Sequence, residues 1–447
     1  MYETQFESTQ VADLLSPTRQ VARMLAFESA LAQSQGELGL IPVEAAQTIS
    51  HVCADESFHR SVQLGEARLA GNPAIPLVQQ LTQRVRASSP SAAGWVHSGA
   101  TSQDVIDTAT ALALRDVFGL LSGDLRRATS RLAELAQRHA ATPMVARTLL
   151  QHAAPITFGY KAVQWLAGLD DAAHALARAD RELAVQLGGP VGTLVDFGER
   201  AQALLERVAA RLALKCPTIS WHTNRSRIAE CGATLAMLAG ALGKIARDVT
   251  LLMQTEVGEA LEGAAPGKGG SSSLPHKRNP VDALIASAAG DLAPHLAAAL
   301  FAGMVQEHER AAGAWHAEWL VLPKLCNVSH ASLIAVVRLL DGLEVNGSRM
   351  QANLDLTLGT LHAASLTTAL AATIGRDRAH AAVESWCRSA LGERRNLREI
   401  ASREVAALGV SLALERWNEI FGSKREIDAA EARTLDYLAR RSTSRLD

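Results

Sequence analysis

The chain has 447 residues, 48% of them apolar and 4% aromatic, with 44 basic against 46 acidic side chains. This length and apolar share bury a large core and exclude a disordered chain, and the abundance of Ala and Leu over aromatics favours closely packed helices over β-sheet. A net charge of −2 with scattered basic residues excludes the electrostatic footprint of a nucleic-acid or membrane-surface protein. A small molecule is the expected partner.

In chain order, the start Met-Tyr-Glu-Thr-Gln-Phe-Glu carries no basic and apolar leader pattern, and no uninterrupted apolar run looks long enough to span a bilayer, so a cytoplasmic location is expected. Residues 1–102 read as shorter helices broken at Pro73, Pro76 and Pro90. Leu114, Val117, Leu121, Leu125, Ala128, Leu132 and Leu135 then mark one seam of a long helix, and Leu235, Leu238, Leu242, Ile245, Val249 and Leu252 mark a second. A third, less regular seam includes Leu333, Val336, Leu340 and Leu343. The expectation is an all-α protein with a central long-helix bundle over 103–358 and a C-terminal helical region over 359–447 punctuated by Gly359 and Gly375. Exposed seams would favour oligomerisation. The five cysteines, Cys53, Cys216, Cys231, Cys326 and Cys387, are far apart and lack C-x-x-C spacing, so they read as buried free thiols rather than a disulfide framework or zinc site.

One loop interrupts this pattern, Ala264 to Pro280, rich in Gly and Ser. Asn279-Pro280 predicts a helix start, which would put free backbone N–H groups beside Lys277 and Arg278, where an anion could sit. A solvated linker is the plain alternative. A P-loop fits poorly: Glu262 and Gly269 occupy the positions that need Gly and Ser or Thr, and no strand is expected before the loop.

The run Gly270-Ser271-Ser272-Ser273-Leu274-Pro275-His276-Lys277-Arg278-Asn279-Pro280 resembles the G-S-S-x-M-P-x-K-x-N-P signature of the fumarase/aspartase superfamily, with Leu274 standing for Met. Two further segments resemble that family in the expected order: His97-Ser98-Gly99-Ala100-Thr101-Ser102-Gln103-Asp104, followed by Asp107-Thr108, and Arg147-Thr148-Leu149-Leu150-Gln151-His152-Ala153. The resemblance implies a three-domain helical fold and a homotetramer whose sites are shared between subunits. It implies Ser271 as the group that handles the carbon-bound proton, in a cationic setting supplied by Lys277, Asn279 and the helix N-terminus. Thr101 and Ser102, Thr148 and Gln151, Ser272 and Arg278 are implied as substrate-binding residues, with helix capping the plain alternative for the first two pairs. His97 and His152 match histidines of the adenylosuccinate lyase branch, and Arg310 is a candidate for pairing a substrate carboxylate.

Leu149 departs from the family. Fumarase and the argininosuccinate and adenylosuccinate lyases carry there a His that helps protonate the leaving group, and leucine transfers no proton. A carboxylate needs no such acid, because its conjugate acid has a pKa of about 4. The expected reaction is therefore lactonisation, and the chain resembles the 3-carboxy-cis,cis-muconate cycloisomerase branch. Lys268-Gly269-Gly270, Gln306-Glu307-His308-Glu309-Arg310 and Trp315-His316-Ala317-Glu318-Trp319 also resemble that branch. It implies no metal, nucleotide or redox cofactor. Members of the branch carry Trp where this chain has Leu149, so the site should be roomier and accept another anionic 3-substituent, such as a sulfonate. An adenylosuccinate-type eliminase is the enzyme alternative, against which Leu149 argues. A helical structural protein is the non-enzymatic one.

Overall fold

The computed structural model describes residues 2–65 and 67–444, and helices dominate it, as composition and seams predict. Five are long: Ser102–Arg138, Phe158–Arg181, Ser226–Leu252, Val281–Ala302 and Ala314–Asp341. The first two seams are buried at every position, from Leu114 to Leu135 and from Leu235 to Leu252. The third is buried from Leu333 to Leu340, but Leu343 lies beyond the end of its helix and is half-buried. Each Leu, Ile or Val in these seams removes its side chain from water, worth about 1.5–3 kcal/mol apiece before the entropy of ordering is counted.

The chain divides into two compact units, each discontinuous in sequence. One comprises Met1–Leu125, Asp171–Gly243 and Ile285–Ile334; the other comprises Arg126–Asp170, Lys244–Leu284 and Ala335–Asp447. All five long helices give residues to both. In the first unit the Ser226–Leu252 and Val281–Ala302 helices approach through glycine: a Cβ added at Gly290 would lie 3.1 Å from the Gly243 Cα. In the second unit the helices Ala363–Ile374 and Arg376–Glu393 meet at Gly375, φ 82°, and close a local core around Leu370, Val383, Trp386, Ile400 and Trp417.

Two expectations from the sequence need correction. The Ser226–Leu252, Val281–Ala302 and Ala314–Asp341 helices are each long and apolar enough, by length and composition, to cross a membrane. A search for unbroken apolar runs overlooks them, because occasional charges interrupt Ala- and Leu-rich windows whose mean hydropathy stays high. The other correction concerns β structure. Pro143–Thr148 and Gln151–Thr157 pair antiparallel as a hairpin with an irregularity between Val145 and Arg147. A two-residue strand, Ala260–Leu261, pairs with Glu344–Val345 just before the Gly/Ser loop. A strand therefore does precede that loop, and the case against a P-loop rests on Glu262 and Gly269 alone.

Candidate active site

The residues singled out from sequence fall into two sets, one in each unit. In the first unit, His97 and Gly99 take positive φ, 58° and 71°, and turn the chain into the Ser102–Arg138 helix. Gly99 has to be glycine, because a Cβ there would lie 2.3 Å from the Phe197 ring. Gln35 Nε2 donates to the Ser98 carbonyl at 2.8 Å, and His97 Nδ1 donates to Glu28 Oε1 at 2.6 Å.

Thr101 is oriented by Asp104, which is fully buried. Its Oδ2 accepts the Thr101 and Gly189 N–H groups at 3.0 and 2.9 Å, while its Oδ1 accepts the Gly188 N–H at 3.0 Å and His222 Nε2 at 2.7 Å. A carboxylate at the first turn of a helix is favourable, and one with two donors on each oxygen is fixed in direction. One turn on, Asp107 and Glu318 both bond the buried Arg225 guanidinium at 2.6–3.1 Å, with Gln103 and the Trp315 indole N–H completing the Asp107 shell. Burial works against the charge of Arg225, yet the two carboxylates more than restore it and its pKa rises. Burial also pushes Glu318 up, against the pull of Arg225. Arg310 is half-buried and donates to the Pro190 carbonyl at 2.8 Å.

In the second unit, Thr148 and Gln151 close the hairpin as paired residues, and Leu149 and Leu150 form its turn at φ 50° and 65°. The two leucines are 96% and 71% exposed. The hairpin is anchored by Arg147, whose guanidinium meets both oxygens of buried Glu259 at 2.8 Å, with Asn353 donating to the same carboxylate at 2.7 Å. His152 is lowered in pKa by burial and by Arg147, and its buried Nδ1 has no hydrogen bond among the described residues.

The Gly/Ser loop is exposed through Ser272, Lys277 and Arg278, with Ser271 half-buried. Ser271 Oγ accepts the Leu274 N–H at 3.1 Å and the Ser273 N–H at 3.4 Å, an arrangement that favours an anionic oxygen. Asn279 clasps the loop: its backbone N–H donates to the Gly269 carbonyl at 2.8 Å, and its amide donates to Gly269 and Gly270. It does not cap the following helix. That N-terminus, expected to be open to an anion, is occupied by Glu262, whose carboxylate accepts the Asp282 and Ala283 N–H groups at 3.0 and 3.1 Å. Lys268 then ties Glu262 to Asp282, at 2.9 and 2.7 Å. Arg278 is engaged as well, bonding the Glu262 carbonyl at 2.8 Å and Glu344 at 3.1 Å.

Sequence reading missed the anchors: Glu28, Asp104, His222, Arg147, Glu259 and Glu262. Asp104 and Arg147 lie inside the family-like segments, and a lone carboxylate in an apolar run, as Glu28 is in Leu25-Ala26-Phe27-Glu28, was a signal of a buried partner.

A model of a lyase family matches residues 6–290. A 3-carboxy-cis,cis-muconate cycloisomerase of Bradyrhizobium diazoefficiens is 46% identical over 93% of this chain and 93% of its own. The enzyme of the same name from Pseudomonas aeruginosa is 43% identical over 91% of this chain and 88% of its own. Among solved structures, the 3-carboxy-cis,cis-muconate lactonizing enzyme of Pseudomonas putida superposes with a TM-score of 0.88 at 37% identity, covering 98% of this chain and 99% of its own.

Proposed function

The chain belongs to the fumarase/aspartase family of lyases, and from that premise we propose that it is a 3-carboxy-cis,cis-muconate cycloisomerase of aromatic catabolism, working in the cytoplasm. The observation that carries the reading is Leu149, held at the hairpin tip between Thr148 and Gln151. A side chain that transfers no proton suits a reaction in which the group joined to or leaving carbon is a carboxylate. In the lactonising direction, the C1 carboxylate adds to C4. The C4=C5 electrons move to C5 and spread onto the carboxylate beside it, and the Ser271 hydroxyl delivers a proton to C5. The step is redox-neutral: the new C–O and C–H bonds form at the expense of the C4=C5 π bond and the Ser271 O–H bond, and the Ser271 alkoxide then takes a proton back from solvent. Thr101, Ser102, Thr148 and Gln151 would bind carboxylates, with Arg310, Arg278, Ser272, His97 and His152 as further contacts. Lys277 and Asn279 would preorganise the loop around the developing charge.

The proposal includes a homotetramer with sites assembled from several subunits. An apolar turn at Leu149 and Leu150 exposed to water supports it. So does the Val281–Ala302 helix, of whose most apolar window only 28% is buried within one chain. Light scattering should return four times the chain mass. The substituent on the substrate follows from Leu149 too: a site without the Trp wall accepts a sulfonate at C3 alongside a carboxylate.

The test is the loss of diene absorbance with 3-carboxymuconate and 3-sulfomuconate side by side, with Ser271→Ala as control. Turnover abolished in the control supports the mechanism, and Leu149→Trp should narrow selectivity toward the tricarboxylate. Turnover of neither muconate, with cleavage of adenylosuccinate instead, would overturn the reading.

A further inference from the structure

Glu28 stands in the middle of the Pro17–Glu37 helix among Leu25, Phe27 and Leu31, and is 1% exposed. A carboxylate in such a place is costly unless it is paired. Its single hydrogen bond among the described residues is the 2.6 Å contact with His97 Nδ1, shorter than neutral N–H···O bonds usually are, and Oε2 has no partner among them.

We propose that Glu28 is a positioning residue for the carboxylate-binding segment, holding His97 as an imidazolium whose Nε2 edge receives one carboxylate of the substrate. The inference rests on the reading that this chain acts on a polyanion. With Nδ1 committed to Glu28, Nε2 carries no hydrogen bond among the described residues, and the His97 side chain keeps 18% of its surface exposed, four residues before Thr101. Its backbone is pinned at φ 58°, a strained value for a non-glycine residue, by the Gln35 bond to Ser98 and by Phe197 packed under Gly99. Ring direction is therefore set by the fold before any ligand arrives.

The charged and titratable groups around this ring are few. Glu28 faces it from the Pro17–Glu37 helix and Asp104 from the Ser102–Arg138 helix. Asp104 is already saturated by three backbone N–H groups and His222. Cys53, at the end of the Val43–Cys53 helix, is near Glu28, and burial with the Glu28 charge holds its thiol protonated. Burial pulls the His97 pKa down, but the Glu28 charge and hydrogen bond together with Asp104 outweigh it, and the balance is upward. The hydroxyls of Thr101 and Ser102 are neutral, so His97 adds a positive charge for a substrate with three carboxylates.

The test is a histidine-imidazole NMR titration of the full-length protein between about pH 5.5 and 9, with the His97 signal assigned through His97→Gln, with and without propane-1,2,3-tricarboxylate as probe. The His97 ring should titrate above the ordinary imidazole range and move higher with the tricarboxylate. In Glu28→Gln it should titrate below that range, since burial remains and the countercharge is gone. In turnover, Glu28→Gln should raise KM by about 10-fold near pH 7.5 while kcat changes less than about 3-fold. Glu28→Asp, which keeps the charge, should recover part of the loss. A wild-type His97 that is neutral across the range would overturn the proposal, as would a Glu28→Gln enzyme that loses kcat at every pH with an unmoved profile. Because the titration needs no turnover, an expected titration in a protein inactive on muconates would fault the functional reading and leave this one standing.

Discussion

The 97–107 segment and the 264–280 loop carry the same kinds of side chain, hydroxyls and amides spaced by glycine, but one is locked and the other is open. Each oxygen of Asp104 and of Asp107 takes two donors, and both residues are buried. Ser272 and Lys277 are exposed, and the loop is held at its ends by Lys268 and Asn279. A platform that meets a substrate's standing charge gains from being built in advance. A hydroxyl that has to approach a carbon gains from a tether that can adjust.

Substitutions can break this contrast. The largest effect should come from Arg225→Met, which strands Asp107 and Glu318 without a countercharge; urea unfolding should show a loss of about 3–5 kcal/mol. Asp104→Asn should follow, at about 2–3 kcal/mol, because one amide oxygen cannot serve four donors. It should also depress turnover in the fraction that stays folded. Lys268→Met removes a tether that is 23% exposed and should cost about 1 kcal/mol or less in unfolding, while lowering kcat. Ser271→Ala should shift unfolding by under about 0.5 kcal/mol although it abolishes turnover. If Ser271→Ala destabilised as much as Asp104→Asn, the distinction between platform and loop would collapse.

A pH series sharpens the same comparison. The folded-state pKa of His97 is raised, so its stabilising contribution is complete below the ordinary histidine value of about 6.5 and is lost as pH rises through the higher folded value. The unfolding free energy of wild type minus that of Glu28→Gln should therefore shrink from about pH 6 toward pH 9. A difference that grew with pH would reverse the sign and reject the pairing.

The seams were legible because a three-four spacing has few other readings, and the family-like segments were legible because their residues are contiguous. The anchors were harder to see. Glu259 lies 112 positions from Arg147, and His222 lies 118 from Asp104; no local pattern announces a pair that distant. The open helix N-terminus failed for a related reason: Asn279 and Pro280 suggest a cap, but Glu262 reaches the same N–H groups from across the loop. The hairpin was missed because six or seven residues of strand are outweighed by helix formers on either side.

The hairpin tip has a consequence for how such an enzyme can change. A two-residue turn with both φ values positive normally recruits Asn or Gly, and leucine in that conformation costs roughly 1–2 kcal/mol per position. Leu149 is so exposed that the folding of a single chain gains almost nothing from its side chain. Heritable variation at this position is thus nearly free of a folding penalty, and many replacements would relax the turn. A lineage, or a directed library, could explore new substrates at residue 149 while drawing on none of the stability that the pairing of Arg147 with buried Glu259 provides.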